Sequence, residues 1–505
     1  MASITPQPLN LPEILRITFV FLDNKSLVAC AQVNSLWADE ATDVLWQEPP
    51  ISARARLVPS GRAQTYANKI TRLYRLDWRF GHNEYHQVYQ RLLYPRLIRM
   101  SGLVGHTTCL QGLMKLFQPS LIYFRMELSL RLVTNPYEYS NAMDAFFMQL
   151  STRCPNLRII KLVSWCSVWN GLLKFLEASP SLQSIELQES WNLTNEVIQH
   201  LAARPNLTKL KIPGAILGEA VAQVEANTES PFADLIRFNG SLDEATLLMF
   251  SRHTRKLETL KIAMYSPSAN LLSTLSRFSA LRILEVRSHA DKSAIAALGL
   301  ITLAKGCQRL THISFHGGWE LGSNITDADI CQLSSLLPDL MSIDLGCSED
   351  LSVQSVHFLG RNCPRLRYCQ LCGCVLDVSK FLEYPGSDTT TTSGADSSGF
   401  DQSKGTAPRL HSTIMQNFLD PLLTKSESIG ESRLLFPKLK TLEVEEFINS
   451  RNVNVTTVVS HLLSEAPRLL YFDASSGTLF SGEVTDAFRR LKSDRLNAKQ
   501  ARTNT

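Results

Sequence analysis

From residue 95 onward the chain repeats one arrangement of apolar and polar positions. The recurring phrase is Pro-x-Leu-x-x-Leu-x-Leu, with Ile, Phe or Val standing in for some leucines. Its first leucine falls at Leu121, Leu157, Leu182, Leu207, Leu235, Leu257, Leu281, Leu310, Leu340, Leu366, Leu439 and Leu469. Within the phrase, apolar and polar residues alternate as in a half-buried strand; the stretches between phrases carry helical spacing. GLLKFL (171–176) and EVIQHL (196–201) are two such helical stretches. The middle copies follow one another at a nearly steady interval, and random leucine-rich sequence would not hold that phase twelve times.

This steady period predicts an α/β leucine-rich-repeat solenoid, a horseshoe of strand–helix units, some of them slightly long. One repeat cannot bury its own leucines, whereas a stack buries a continuous ridge. Upstream, YANKITRLYRLDW (66–78) and residues 97–102 read as degraded copies suited to capping the stack. Between Leu366 and Leu439 the interval is far longer than any other between phrases. Residues 385–408 in that gap are rich in Ser, Thr, Gly and Asp and read as a disordered low-complexity insertion. Leu410 to Leu423 is more apolar and reads as a short helix. The tail, 481–505, carries Arg489, Arg490, Lys492, Arg495, Lys499 and Arg502 and reads as a solvated helical or disordered end.

The register assigns side chains to faces. Positions one, four and six point inward; positions three, five and seven project onto the concave strand face. Position five supplies Lys161, Glu186, Lys211, Lys261, Asp344, Glu443 and Asp473. Positions three and seven add Lys209, Arg237, Arg287, His312, His316 and Glu445. Early repeats lean basic and late ones acidic, which predicts a bipolar surface for a substrate of matching charge. An equal competitor is a ladder of lateral ion pairs such as Lys161–Glu186–Lys211, each worth about 0–1 kcal/mol. Trp165, Trp169, Trp191 and Trp319 fall just after strands, where packing between turns is the commoner use of tryptophan. Trp191 is the preferred contact.

The N-terminal segment reads LNLPEIL and then FLDNKSLVACAQVNSLWADEATDVLW. Pro12 suits the first turn of a helix that carries Ile14, Leu15, Thr18, Phe21 and Leu22. Asp23-Asn24-Lys25 reads as a turn, and Ser26 as the cap of a second helix with Leu27, Cys30 and Val33. Asn34 or Ser35 caps a third, with Trp37, Ala41, Val44, Leu45 and Trp46. Three helices in roughly 40 residues are at the lower limit for burying a core, so the surplus apolar face should meet a partner.

These residues resemble an F-box: Leu11-Pro12, then Leu27, Cys30 and Val33, then Trp37 and the closing Leu45-Trp46. The whole chain resembles the fungal-type F-box proteins with C-terminal leucine-rich repeats, which also show a tyrosine-led strand soon after the F-box. The resemblance implies an F-box over 9–48, a linker and capping segment over 49–94, and repeats over 95–480. It further implies binding to the Skp-type adaptor of an SCF ubiquitin ligase, and through it to cullin. The implied adaptor contacts are Leu11, Pro12, Ile14, Leu15, Leu22, Leu27, Val33, Trp37, Leu45 and Trp46. A protein substrate of unknown identity would sit on the repeats.

Composition narrows the alternatives. A net charge of +4 over 505 residues is too small to argue for nucleic acid, although RNA binding through the basic early repeats stands as one alternative. A scaffold or transport factor without ligase function is another. MASITPQPLN lacks the build of a secretory signal and no run is long enough to span a membrane, which predicts cytoplasm or nucleus. Eleven cysteines, an odd number, then read as reduced thiols. Cys363, Cys369, Cys372 and Cys374 have poor zinc spacing, and register places Cys369 inward, so they read as structural. His82 and His86 read as solvated. No phosphate loop, nucleophile elbow or zinc-protease helix is present, so neither catalysis nor a cofactor is expected.

Overall fold

The computed structural model describes residues 11–50, 53, 61–78, 91–105, 107–128, 136–164, 171–188, 193–216, 218–265, 267–268, 270–295, 297–321, 325–345, 351–377, 436–448, 454–474 and 479–503. They divide into two compact units, Met1–Ile262 and Ala263–Thr505. Each has the leucine-rich-repeat solenoid fold of parallel strands alternating with helices.

The first unit opens with α1 (Pro12–Phe19), α2 (Asn24–Cys30) and α3 (Ser35–Gln47), followed by α4 (Ala63–Ala67). Its strands are β1 (Arg72–Trp78), β2 (Arg99–Val104), β3 (Tyr123–Leu128), β4 (Ile159–Ser164), β5 (Ser184–Gln188), β6 (Lys209–Ile216), β7 (Arg237–Leu242) and β8 (Thr259–Met264), within which the unit ends. Between them lie α5 (Thr107–Met114), α6 (Pro136–Arg153), α7 (Leu172–Glu177), α8 (Asn195–Ala203), α9 (Gly218–Asn227) and α10 (Glu244–His253). The second unit holds α11 (Leu271–Leu275), β9 (Ile283–Ile295), α12 (Ala297–Gly306), β10 (His312–Leu321), α13 (Asp327–Leu336), β11 (Ser342–Asp344), α14 (Val353–Asn362), β12 (Tyr368–Asp377), β13 (Thr441–Ile448), α15 (Val455–Glu465), β14 (Tyr471–Ala474) and α16 (Leu479–Thr503).

The strand register follows the phrase. In the first unit, third positions align as Arg99↔Tyr123↔Ile159↔Ser184↔Lys209↔Arg237. In the second, they align as Ser342↔Tyr368↔Thr441↔Tyr471, so pairing resumes in phase across the long interval after Leu366. The carbonyl at position two accepts from two amides of the following repeat: Ile122 O from Arg158 and Ile159, Thr208 O from Ile236 and Arg237, Met341 O from Arg367 and Tyr368. The degraded upstream copies are true repeats by the same test, because Ile98 and Arg99 both donate to Thr71 O. The first leucine of every phrase is at most 2% exposed.

A turn ends each helix before its strand. In most repeats the amide of the first leucine donates to the residue three before it, as from Leu157 to Cys154 O and Leu366 to Cys363 O. Proline usually follows that residue and disfavours continuation of the helix. Phe117, Phe124, Phe146, Phe147 and Phe175 form a relay of ring contacts behind the first strands, with successive centroids 5.0–6.0 Å apart. In β10, the bulge against β9 opens after Gly317, whose φ of +93° and close approach to Ser288 O exclude a side chain.

The expected disordered insertion at 385–408, the short helix at 410–423, His82, His86, Trp165, Trp169 and Trp191 all lie outside the described residues. The C-terminal segment is not merely a solvated end. Val484, Ala487 and Phe488 of α16 are buried, and Phe488 meets Phe472 at 5.6 Å. Lys492 and Arg495 donate to Leu470 O and Leu463 O, so two of the tail's cations cover carbonyls of the final repeat. Truncating an inward side chain should open a cavity that the stack cannot collapse. Leu187→Ala and Ile212→Ala are each expected to cost about 2–5 kcal/mol, read from urea unfolding midpoints.

Candidate functional surfaces

The three N-terminal helices form a small core of Leu15, Phe19, Leu27 and Ala41, with Leu22, Cys30, Leu36, Trp37, Val44 and Leu45 packed around it. Asp23, rather than Ser26, caps α2: its carboxylate accepts from the Ser26 amide at 2.8 Å, and the helix opens at Asn24. Asn34 caps α3 through the Trp37 amide at 2.8 Å. Core formation uses several side chains that the resemblance implies as adaptor contacts. Leu15 and Leu27 are each 2% exposed, and Trp37 lies edge-on to Phe19 at 5.3 Å. Trp46 stacks on Tyr66 at 4.6 Å, turning toward the repeats. Of the expected set, Leu11, Ile14 and Val33 remain exposed and Pro12 is half-buried.

The outer side of α1 and the turn after it add Ile17 and Val20 to the Ile14 and Phe21 that spacing placed on this segment. Ile14, Ile17 and Phe21 follow one another at three- and four-residue steps, opposite Leu15 and Phe19. Ile17 is 66% exposed, Val20 60% and Phe21 84%, and Val28 of α2 is exposed as well. An α1 apolar on both faces is the signal that would have found them: one face fills the core and the second is surplus.

A charge cluster fixes these helices to the first repeats. Asp43 of α3 is reached by Lys69 at 3.0 Å, Arg96 at 2.9 Å and Arg16 at 3.8 Å. Lys69 also bonds Asp39 and the Thr42 hydroxyl, and the Thr71 amide donates to Gln47 O. Burial would raise the Asp43 carboxyl, but the hydrogen-bonding Arg96 and Lys69 outweigh it and hold it below the usual carboxylate value.

On the strand face of the first unit, Glu186 is buried between Lys161 (3.0 Å) and Lys209 (2.5 Å). Burial pushes this carboxyl up, and the two ammonium groups more than reverse the shift. The lateral pairing therefore runs Lys161–Glu186–Lys209, not to Lys211, because Lys209 sits one rung along at position three. Arg237 is exposed, while Lys211 and Lys261 are half-buried. Arg99 and Lys161 lie over the Tyr123 ring at 6.0 and 5.9 Å.

In the second unit, Arg287 pairs with Glu285 at 2.9 Å. Ser314 Oγ lies 2.6 Å from His316 Nε2 and 3.1 Å from Asp344 Oδ2, and His316 Nδ1 lies 3.1 Å from the same Oδ2. This serine–histidine–carboxylate cluster was not assembled from sequence, because Ser314 and His316 of β10 meet Asp344 only through the pairing with β11. β10 pairs with β11 over His312–Ser314 and with β9 on its other side, which sets Ser314 directly beside Asp344. Thr311 Oγ1 holds His312 Nδ1 at 2.8 Å. Glu443 is half-buried in β13; the side chains of Glu445 and Asp473 lie outside the described residues, as do those of Trp319, Cys372 and Cys374.

The remaining thiols have a positional role. The side chain three residues before the first leucine bridges to the equivalent carbonyl of the preceding repeat. Cys307 Sγ lies 3.2 Å from Phe278 O, and Cys363 Sγ lies 3.4 Å from Leu337 O. Arg204 does the same to Ser179 O. Burial pushes the thiols of Cys154, Cys307 and Cys363 up to about 12. Cys369 is 1% exposed at its inward position. No helix among the described residues is long and apolar enough to cross a membrane.

No family model and no curated protein matches the chain. Among solved structures, it is similar to the crystal structure of the Rad7 and Elc1 complex in yeast, at 15% identity and a TM-score of 0.42, covering 72% of this chain and 87% of that one. It is also similar to the APL1 leucine-rich repeat domain, at 12% identity and a TM-score of 0.25, covering 67% and 77%.

Removing the shared carboxylate should loosen the joint between helices and repeats. Asp43→Asn is expected to lower stability by about 2 kcal/mol at pH 7. Because the folded carboxyl lies below its ordinary 3.8, the contribution is complete above that value and fades as pH falls through the lowered one. Urea unfolding of both proteins should therefore show the gap at pH 7 narrowing below about pH 4.

Proposed function

We propose that this chain is a substrate-receptor subunit of an SCF-type cullin-RING ubiquitin ligase. On this reading the three N-terminal helices are an F-box that docks on a Skp-type adaptor, and the repeats hold a target protein. The observation that carries it is the outer face of α1 and the turn that follows it, where Ile14, Ile17, Val20 and Phe21 remain open although the inner face has already filled the core. Burying a large aliphatic or aromatic side chain is worth about 1.5–3 kcal/mol, so a partner covering this face gains several such increments. The F-box resemblance names the partner: a Skp-type adaptor.

The mechanism is proximity. Tethering a target beside a ubiquitin-charged enzyme raises the effective concentration of its lysines, and the transfer chemistry belongs to other subunits. The charge cluster around Asp43 and the Thr71–Gln47 hydrogen bond support this role, because a receptor must hold its target at a defined position relative to the adaptor. The site of action on this reading is the cytoplasm or nucleus.

Co-purification with a Skp-type adaptor and cullin tests the proposal. Wild type should recover both. Leu11→Ala/Pro12→Ala and Ile17→Asp/Phe21→Asp should lose both, with adaptor affinity down about thirtyfold or more for the second pair. Ile17 and Phe21 are exposed, so circular dichroism of that variant should match wild type. Adaptor without cullin would instead favour a non-ligase scaffold; recovery of neither by wild type would overturn the F-box reading.

A further inference from the structure

We infer that the strand face of the first unit binds an Asp/Glu-rich segment of a partner protein, centred on Lys211 and Arg237. That the partner is a ubiquitination target rests on the receptor reading; the binding itself does not. Across β4 to β7, the third and fifth positions present Lys161, Lys209, Lys211 and Arg237 against one carboxylate, Glu186. Glu186 is already shared by Lys161 and Lys209. Lys209 and Arg237 are direct register partners, and Lys211 faces Glu186 on one side and Asn239 on the other. Like charges directly opposed across a ladder are unfavourable. The described residues supply no carboxylate partner to Lys211 or Arg237. An added anion removes this repulsion, and Asn239 lies beside Lys211 as a neutral donor.

Spacing fits an extended peptide. Neighbouring strands lie about 4.8 Å apart, so Lys161 and Lys211, two strands apart, are separated by roughly 10 Å. An extended chain advances about 3.3 Å per residue, and carboxylates two or three residues apart can therefore meet successive cations. RNA fits less well. Tyr123 on this face carries Arg99 and Lys161 over its ring in place of a stacked base.

The test uses the full chain, a fluorescein-labelled twelve-residue Glu/Asp peptide, and a twelve-nucleotide single-stranded RNA in fluorescence anisotropy. Wild type should bind the peptide, with affinity falling as salt rises from 50 to 200 mM. Lys211→Glu/Arg237→Glu should weaken that binding at least tenfold while leaving circular dichroism and adaptor co-purification unchanged. Absence of peptide binding by wild type, equal binding by the variant, or tighter RNA binding that the variant loses would each overturn the inference. Peptide binding by a chain that fails to recover the adaptor would sink the receptor reading alone.

Discussion

Everything in this chain depends on the inability of one repeat to satisfy itself. The position-two carbonyl has no partner within its own strand and accepts two amides from the next repeat, as Thr208 O does from Ile236 and Arg237. The inner leucines are likewise covered only when a neighbour is in place. Backbone and side-chain requirements therefore enforce the same register. That is why β13 pairs with β12 in phase although the longest interval between phrases separates Leu366 from Leu439. A long interruption leaves the ladder intact because the pairing is specified by the phrase, not by the path that joins two phrases.

Against this background the fold was largely readable. A steady period and a fixed inward set located strands and faces, and even the degraded copies before residue 103 pair in the ladder. Readability failed where a residue's use depends on a neighbour remote in sequence. Ser26 looked like a cap by composition, but Asp23, with a stronger acceptor, opens the helix three residues earlier. The final helix looked solvated because its cations dominate; its buried side is the thin set Val484, Ala487 and Phe488.

The candidate surfaces were half readable. Spacing identified the helix that holds Ile14 but could not say that Leu15 and Leu27 would be consumed by the core, leaving Ile17 and Phe21 outside. On the strand face, position predicted which charges would project, and pairing required the third coordinate. Lys209 and Lys211 are two residues apart and chemically identical, yet Lys209 reaches Glu186 and Lys211 does not.

The thiols that bridge successive turns have a consequence for the chain's chemistry. Oxidants and electrophiles attack thiolates, and a thiol held at about 12 presents almost none at neutral pH. Cys154, Cys307 and Cys363 are therefore silent while their repeats are closed and reactive once a repeat separates from its predecessor. Placed at three heights along the chain, they form a built-in record of where the stack first comes apart.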